Sequence, residues 1–319
     1  MEYMVECLEE GYFYFLENKK KLFETKSKFQ KIEVFETKSF GRYLRLDRGI
    51  QTCEEDEYLY HEPLIHVPML THPKPENILI IGGGDGGALK QILKHNTVQK
   101  VDMVELDEEV IKVSKKYLKK IHENSFNHKK ANVIIGDGIE FLKKTKNKYD
   151  IIILDLTDPS KDSIDKIYTK IFYDSVKSRL KKDGIVSIQT EIPYMISNIH
   201  VRILKTLMKS FKIVRPFYSY VPTYGTVHGF ASCSNKHDTK KTSKNIIDKK
   251  IKKRKIKNLK MFDGETYEAM HVVPKIIKEK LKDKKIKEIT KNSKFEDYID
   301  MDNKSLEYEK KLNELSIKN

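Results

Sequence analysis

The run Ile78-Leu79-Ile80-Ile81-Gly82-Gly83-Gly84-Asp85-Gly86-Gly87-Ala88-Leu89 constrains this chain more than any other feature. A short apolar strand ends directly in glycines, and helix-forming residues follow. Gly82, Gly84 and Gly87 satisfy the GxGxxG spacing in the strand–turn–helix context that gives the pattern meaning. Such a turn lets a ligand approach the backbone at the mouth of a parallel sheet. The same alternation continues downstream. VDMVEL (101–106) precedes a helical pattern at 108–121, VIIG (133–136) one at 138–144, and YDIIILDL (149–156) one at about 164–181. GIVSIQT (184–190), a helix at 196–210 and strands near 212–220 and 226–233 complete the series. Short apolar strands separated by amphipathic helices predict an α/β chain with a mostly parallel, doubly wound sheet.

The flanks read differently. FQKIEVFET, GRYLRLD and IQTCEE alternate apolar and polar residues, with turns at Lys38–Gly41 and Asp47–Gly49, and make residues 1–56 a small β domain. DEYLYHEPLIHVPML predicts a helix with Pro63 near its first turn, and THPKPEN a turn. The α/β part then occupies 57–285, closed by helices in GETYEAMHVVPKIIKEKLKD. The charged extension 286–319 is expected to be poorly ordered.

Charge needs locating before it is interpreted. The chain has 62 Lys and Arg against 47 Asp and Glu, a net +15, yet residues 235–260 alone carry 12 basic and 2 acidic side chains. The excess is thus one Lys-rich stretch, read as a hydrated connector. It contains no aromatic residue to stack on bases and no groove-reading motif, so a nucleic-acid partner is not expected. No apolar run reaches the length of a membrane helix. An acidic N-terminus and three well-separated cysteines, Cys7, Cys53 and Cys233, point to a cytoplasmic protein without a disulfide framework.

The ligand chemistry follows from the strand ends. Glu105, 18 residues after Gly87, can accept both hydroxyls of a ribose. Asp85 inside the glycine turn would repel a pyrophosphate, and suits instead a sulfonium nucleoside with a cationic arm. Decarboxylated S-adenosylmethionine, as co-substrate and not prosthetic group, fits better than its carboxylated parent. Gly136-Asp137-Gly138 follows the third strand, either an adenine contact or a helix cap. Asp155-Leu156-Thr157-Asp158 sets two carboxylates at the sheet's C-terminal edge. Without His or Cys at metal spacing they suit a cationic substrate, and no metal is expected; helix capping by Asp158 is the alternative.

IIGGGDGGALKQILKH, VELDEEVI, GDGIEFL, DLTDP, EYLYHE and VPTYG resemble, in combination, the spermidine synthase (polyamine aminopropyltransferase) family, from about residue 10 to about residue 283. The resemblance implies a small N-terminal β domain before a methyltransferase-like Rossmann domain. It also implies transfer of the aminopropyl group of decarboxylated S-adenosylmethionine to putrescine, giving spermidine and methylthioadenosine, in a homodimer or homotetramer. It assigns Gln30 and Gln51 to the nucleoside and sulfonium region, Asp85 to the aminopropyl amine, Glu105 to the ribose, and Asp137 with Gly138 to the adenine. Tyr60, His61, Asp155, Asp158 and Tyr224 match the acceptor site, with Asp155 as catalytic acid/base and Tyr60 and Tyr224 orienting the amine. Glu191 matches the distal-amine position. The chain departs from the family at 159–168, which lacks glycine and carries Asp162 and Asp165. Transfer to spermidine, cadaverine or agmatine is an alternative, as is an S-adenosylmethionine-dependent methyltransferase on the same fold.

Overall fold

A computed structural model describes residues 2–9, 11–159, 163–194, 198–293 and 301–317. Successive side chains of its N-terminal sheet pack on opposite faces, and both faces are buried at its centre. Strands β1 (Glu2–Glu9), β2 (Tyr12–Lys26), β3 (Lys31–Thr37), β4 (Arg42–Leu46) and β5 (Gly49–Cys53) pair antiparallel in chain order. Met4, Phe35, Tyr43, Ile50 and Cys53 pack together in one cluster. Ile32, Val34 and Leu44 pack against Val110, Val113, Leu118 and Ile121 of the α/β part. The three alternating segments correspond to β3, β4 and β5; β1 and β2 are additional. Irregular register at Asn18/Lys20 and Lys21/Phe23 breaks the alternation of β2, which hides it from a period-two reading.

The helix α1 (Tyr58–Thr71) is buried on every side from Tyr60 to Thr71, the position of a central helix, and carries His61, Glu62 and His66 into the interior. Pro63 and Pro68 both lie inside it, Pro63 beyond the first turn. There follow β6 (Asn77–Gly82), α2 (Gly87–Leu93), β7 (Lys100–Glu105), α3 (Glu108–Tyr117), α4 (Lys119–His122), β8 (Ala131–Ile135), α5 (Gly138–Lys144) and β9 (Tyr149–Asp155). Next come α6 (Ile164–Ile167), α7 (Lys170–Ser178), β10 (Leu180–Gln189), α8 (Ile199–Ser210), β11 (Ile213–Val221) and β12 (Thr226–Ser234). The helix expected over 108–121 breaks at Leu118, where φ −112° and ψ 41° leave the helical region. That expected over 164–181 is two helices, and β10 begins by Leu180.

The seven strands lie in the order β11-β12-β10-β9-β6-β7-β8. β8, β7, β6, β9 and β10 run parallel, and β12 is antiparallel to both β10 and β11. Apolar clusters cover both faces of this Rossmann-type sheet. The order reverses between β6 and β9, and open sheets bind ligands beyond the C-terminal ends of such a pair.

Two readings of the C-terminal third are corrected. The Lys-rich stretch is not a solvated connector: it contains α9 (Lys244–Lys253), which buries Ile247. Lys250 donates to the carbonyls of Leu70 and Thr71, and Arg254 to those of Met69, His72 and Pro73. Two cations thus occupy the C-terminus of α1, where unpaired carbonyls and the helix dipole favour positive charge. Counting charge alone missed the apolar spacing of Ile247 and Ile251. After α10 (Gly264–Met270) and α11 (Lys275–Lys282), residues expected to be poorly ordered form α12 (Met301–Ile317), which lies along β1.

Candidate active site

The site begins where β6 and β9 end side by side, with Gly82 paired to Asp155. Gly82 has φ +88°, and a Cβ there would sit 2.0 Å from the Asp155 carbonyl oxygen, so only glycine lets these strand ends approach. A Cβ on Gly87 would meet the His61 ring at 2.3 Å, so this glycine makes room for a side chain from α1. The glycine motif therefore packs the turn against the sheet as well as opening the backbone to a ligand.

These elements line a cavity of about 640 Å³. Of the residues the sequence placed at the site, all but His61 contribute to its lining. At one end, Glu105 accepts the Asp107 amide at 2.9 Å, and burial pushes its carboxyl up to about 7. Asp137 lines the same end while its carboxylate caps α5, accepting from Ile139 N–H at 2.7 Å. Gln30 donates to Asp107 at 3.1 Å, which joins the β2–β3 turn to the start of α3 beside the cavity. Asp107 was missed as a cavity residue. Its N-cap position before Glu108 and Glu109 was legible, but a cap carries no signal for a ligand.

Behind the glycine turn runs a buried chain of alternating charge. Lys90 Nζ donates to Glu57 Oε1 at 2.6 Å, His61 Nδ1 to Glu57 Oε2 at 2.8 Å, and His61 Nε2 faces Asp85 Oδ2 at 3.4 Å. Burial alone would discharge His61, but Asp85 and Glu57 on either side outweigh it and raise its pKa well above the usual value. Burial likewise raises Asp85; His61 and the Gly87 amide, bonded at 2.7 Å, overcome this and hold it below the usual carboxylate range. Asp85 thus faces the cavity as an anion. His61, 1 % exposed, stands behind it and does not line the cavity, whereas the resemblance implied a place at the acceptor site.

The other end concentrates carboxyl groups. Tyr60 donates its hydroxyl to Asp155 Oδ1 at 2.8 Å. Burial, with Asp85 adding repulsion, raises Asp155 to about 6, while His61 and the Tyr60 bond oppose the shift. Tyr224 packs edge-on to Tyr60 and donates to the Gln51 carbonyl at 2.6 Å. Asp56 holds this turn in place by accepting both the amide and the hydroxyl of Thr223. Asp158 accepts from Gln189 at 3.1 Å and hydrogen-bonds Glu191. Burial and Asp158 raise Glu191 well above its usual value, and burial raises Asp158 as well. Glu191 has φ +71°, a strained conformation for a non-glycine residue and one that recurs at functional sites.

Glu6 of β1 completes this group and was missed by the sequence reading. It lines the cavity, accepts from Tyr14 at 2.7 Å, and is raised by burial to about 7, with Asp158 contributing. No motif surrounds it. Residues 160–162, including Asp162, lie outside the described residues. Asp165 is not part of the cavity wall, to which Ser163, Lys166 and Ile167 contribute.

A second cluster, His72, Asp183 and His237, brings three potential ligand atoms within 4.8 Å of one another. The Lys74 amide donates to His72 Nδ1 at 3.2 Å, and burial lowers this histidine to about 4. The neutral ring then carries its proton on Nε2, which lies 3.9 Å from Asp183 Oδ1 and has no hydrogen-bond partner among the described residues.

Comparison with known proteins gives one answer. Residues 57–244 match the model of the spermine/spermidine synthase domain, and residues 13–54 that of the spermidine synthase tetramerisation domain. A polyamine aminopropyltransferase of Nitrosomonas europaea is 36% identical over 276 residues, 86% of this chain and 85% of that one. The crystal structure of spermidine synthase from Thermotoga maritima superposes with a TM-score of 0.79 at 32% identity, covering 88% of this chain and 94% of the other. A spermidine synthase in complex with the transition-state analogue AdoDATO gives 0.81 at the same identity and coverage. With the cavity, the paired acids and the two-part fold in one order along the sequence, the chain belongs to the spermine/spermidine synthase family and is a transferase of the aminopropyltransferase type.

Proposed function

We propose that the chain transfers the aminopropyl group of decarboxylated S-adenosylmethionine to putrescine, giving spermidine and methylthioadenosine. The observation that carries this reading is the distribution of charge in the cavity. Asp85, Asp155, Asp158, Glu191 and Glu6 all line it, an arrangement suited to a flexible polycation. A methyltransferase acting on neutral substrates has no use for so many acids. Its donor would also bring a carboxylate close to anionic Asp85.

The chemistry needs little beyond positioning and one proton acceptor. The nucleophilic amine forms a bond to the aminopropyl carbon as the carbon–sulfur bond breaks. Its electrons return to sulfur and neutralise the sulfonium. The attacking nitrogen must be free of its extra proton, and Asp155 accepts that proton. At about 6 its carboxyl lies far closer to neutrality than the usual ~3.9, which makes it a better base. The Tyr60 hydroxyl fixes the orientation of Asp155, and Tyr224 packs beside it. Glu105, Asp137, Gly138, Gln30 and Gln51 surround the nucleoside end, and Asp158, Glu191 and Glu6 the distal ammonium. The match to a tetramerisation domain supports a homo-oligomer, assembled as a dimer or tetramer.

Isothermal titration with the two sulfonium nucleosides tests the donor. Tighter binding of decarboxylated S-adenosylmethionine than of S-adenosylmethionine is expected. The opposite order would favour the methyltransferase.

A further inference from the structure

β1 is an edge strand, with β2 on one side and, among the described residues, no strand on the other. Edges of this kind leave a row of backbone groups to be satisfied by something else. Here α12 satisfies them. The Cys7 amide donates to Ser305 Oγ at 2.9 Å, that of Val5 to Glu309 Oε2 at 3.2 Å, and that of Tyr3 to Asn313 Oδ1 at 2.6 Å. Asn313 Nδ2 returns a bond to the Tyr3 carbonyl at 3.1 Å. The spacings agree: four helical residues rise about 6 Å and two strand residues about 6.8 Å. A helix antiparallel to the strand, with a polar residue at every fourth position, therefore meets alternate amides over two turns. Glu309 also pairs with Arg45 at 2.6 Å and Arg48 at 3.1 Å, and the Phe13 and Tyr308 rings pack 4.1 Å apart.

The same strand supplies Glu6 and Leu8 to the cavity wall. Glu6 lies between the two clamped amides of Val5 and Cys7. Its Oε2 accepts from Tyr14 and from Ile50 N–H.

We propose that α12 is a clip that fixes β1 and thereby places Glu6 at the acceptor end of the cavity, with Ser305, Glu309 and Asn313 as positioning residues for the amine. This rests on the reading that an amine binds at that end. The clip acts on acceptor recognition more than on the donor, because the nucleoside end is built mainly from β6, β7, β8 and their following turns. The N-terminal sheet gives that end Gln30 from the β2–β3 turn and Gln51 from β5 rather than a residue of β1.

Steady-state kinetics of the full-length Ser305→Ala/Glu309→Ala/Asn313→Ala variant tests this. The acceptor KM should rise about tenfold, with donor KM and kcat at saturation within about twofold, the signature of lost acceptor binding. Unchanged methylthioadenosine affinity, read by calorimetry, shows that the nucleoside end is intact. Glu6→Gln should raise acceptor KM in the same way, and the triple variant should add nothing further in that background, because both changes act through one contact. Ser305→Thr, which keeps the hydroxyl, should retain the native KM. An unchanged acceptor KM in the triple variant, an equal rise in donor KM, or full additivity with Glu6→Gln would overturn the clip. Lack of turnover by the unsubstituted chain with any amine would instead overturn the reading beneath it.

Discussion

At the residue scale the proposed base is Asp155, at the end of β9, where Gly82 permits a close approach of the two strand ends. Its value of about 6 sets the sign of the pH response. Below that pH the free carboxylate is lost, so kcat/KM should fall about tenfold per pH unit on the acid side. A flat profile between pH 5 and 7, measured with saturating donor, would remove Asp155 from the role of base. Asp155→Asn should lower kcat by about 10²–10⁴-fold while methylthioadenosine affinity stays within about threefold. The strand-end residues were legible because the fold exposes its C-terminal strand ends to ligand, so an acid there has few other uses. Glu6 and Asp107 were not. One sits on an edge strand with no motif around it, and the other is occupied as a helix cap. His61 was legible as a site residue but not in its role, because only packing shows that Gly87 admits its ring behind Asp85.

At the element scale the glycine turn and the alternating strands and helices were plain, since each strand buried on both faces reads as an uninterrupted apolar run. The failures came where another interaction overrode the local pattern. β2 loses its period to two irregularities in register, and α9 hides a buried apolar stripe beneath a lysine run. The charge on α9 has a structural use. Arg254 is 4 % exposed and bonds three carbonyls at the end of α1. Arg254→Ala should therefore destabilise the fold by about 2–3 kcal/mol in urea denaturation, the cost of leaving buried acceptors unpaired. Donor affinity should be untouched. A variant as stable as the native chain would show that water replaces the guanidinium at no cost.

At the scale of the whole molecule, a net charge of +15 coexists with a cavity built from acids. Part of the excess cation is spent inside the fold, at the end of α1, and the remainder does not describe the ligand. Among the described residues no helix is long and apolar enough to cross a membrane. The raised carboxyls also link stability to pH. Glu6 and Glu105, at about 7, and Asp155, at about 6, bind protons more tightly folded than unfolded. Their contribution to stability is therefore present at low pH and declines as pH rises through those values. A bound polyamine supplies the missing positive charge, so putrescine should raise Tm more at pH 8 than at pH 5.5. Equal shifts at both pH values would separate amine binding from these carboxyls.

Aminopropyl transfer itself is tested most directly by product analysis. The purified chain would be incubated with decarboxylated S-adenosylmethionine and, separately, putrescine, cadaverine, spermidine and agmatine. Spermidine and methylthioadenosine in equal amounts, with putrescine the fastest acceptor, is the expected result. Absence of methylthioadenosine with every amine, or a methylated product formed from S-adenosylmethionine, would contradict it.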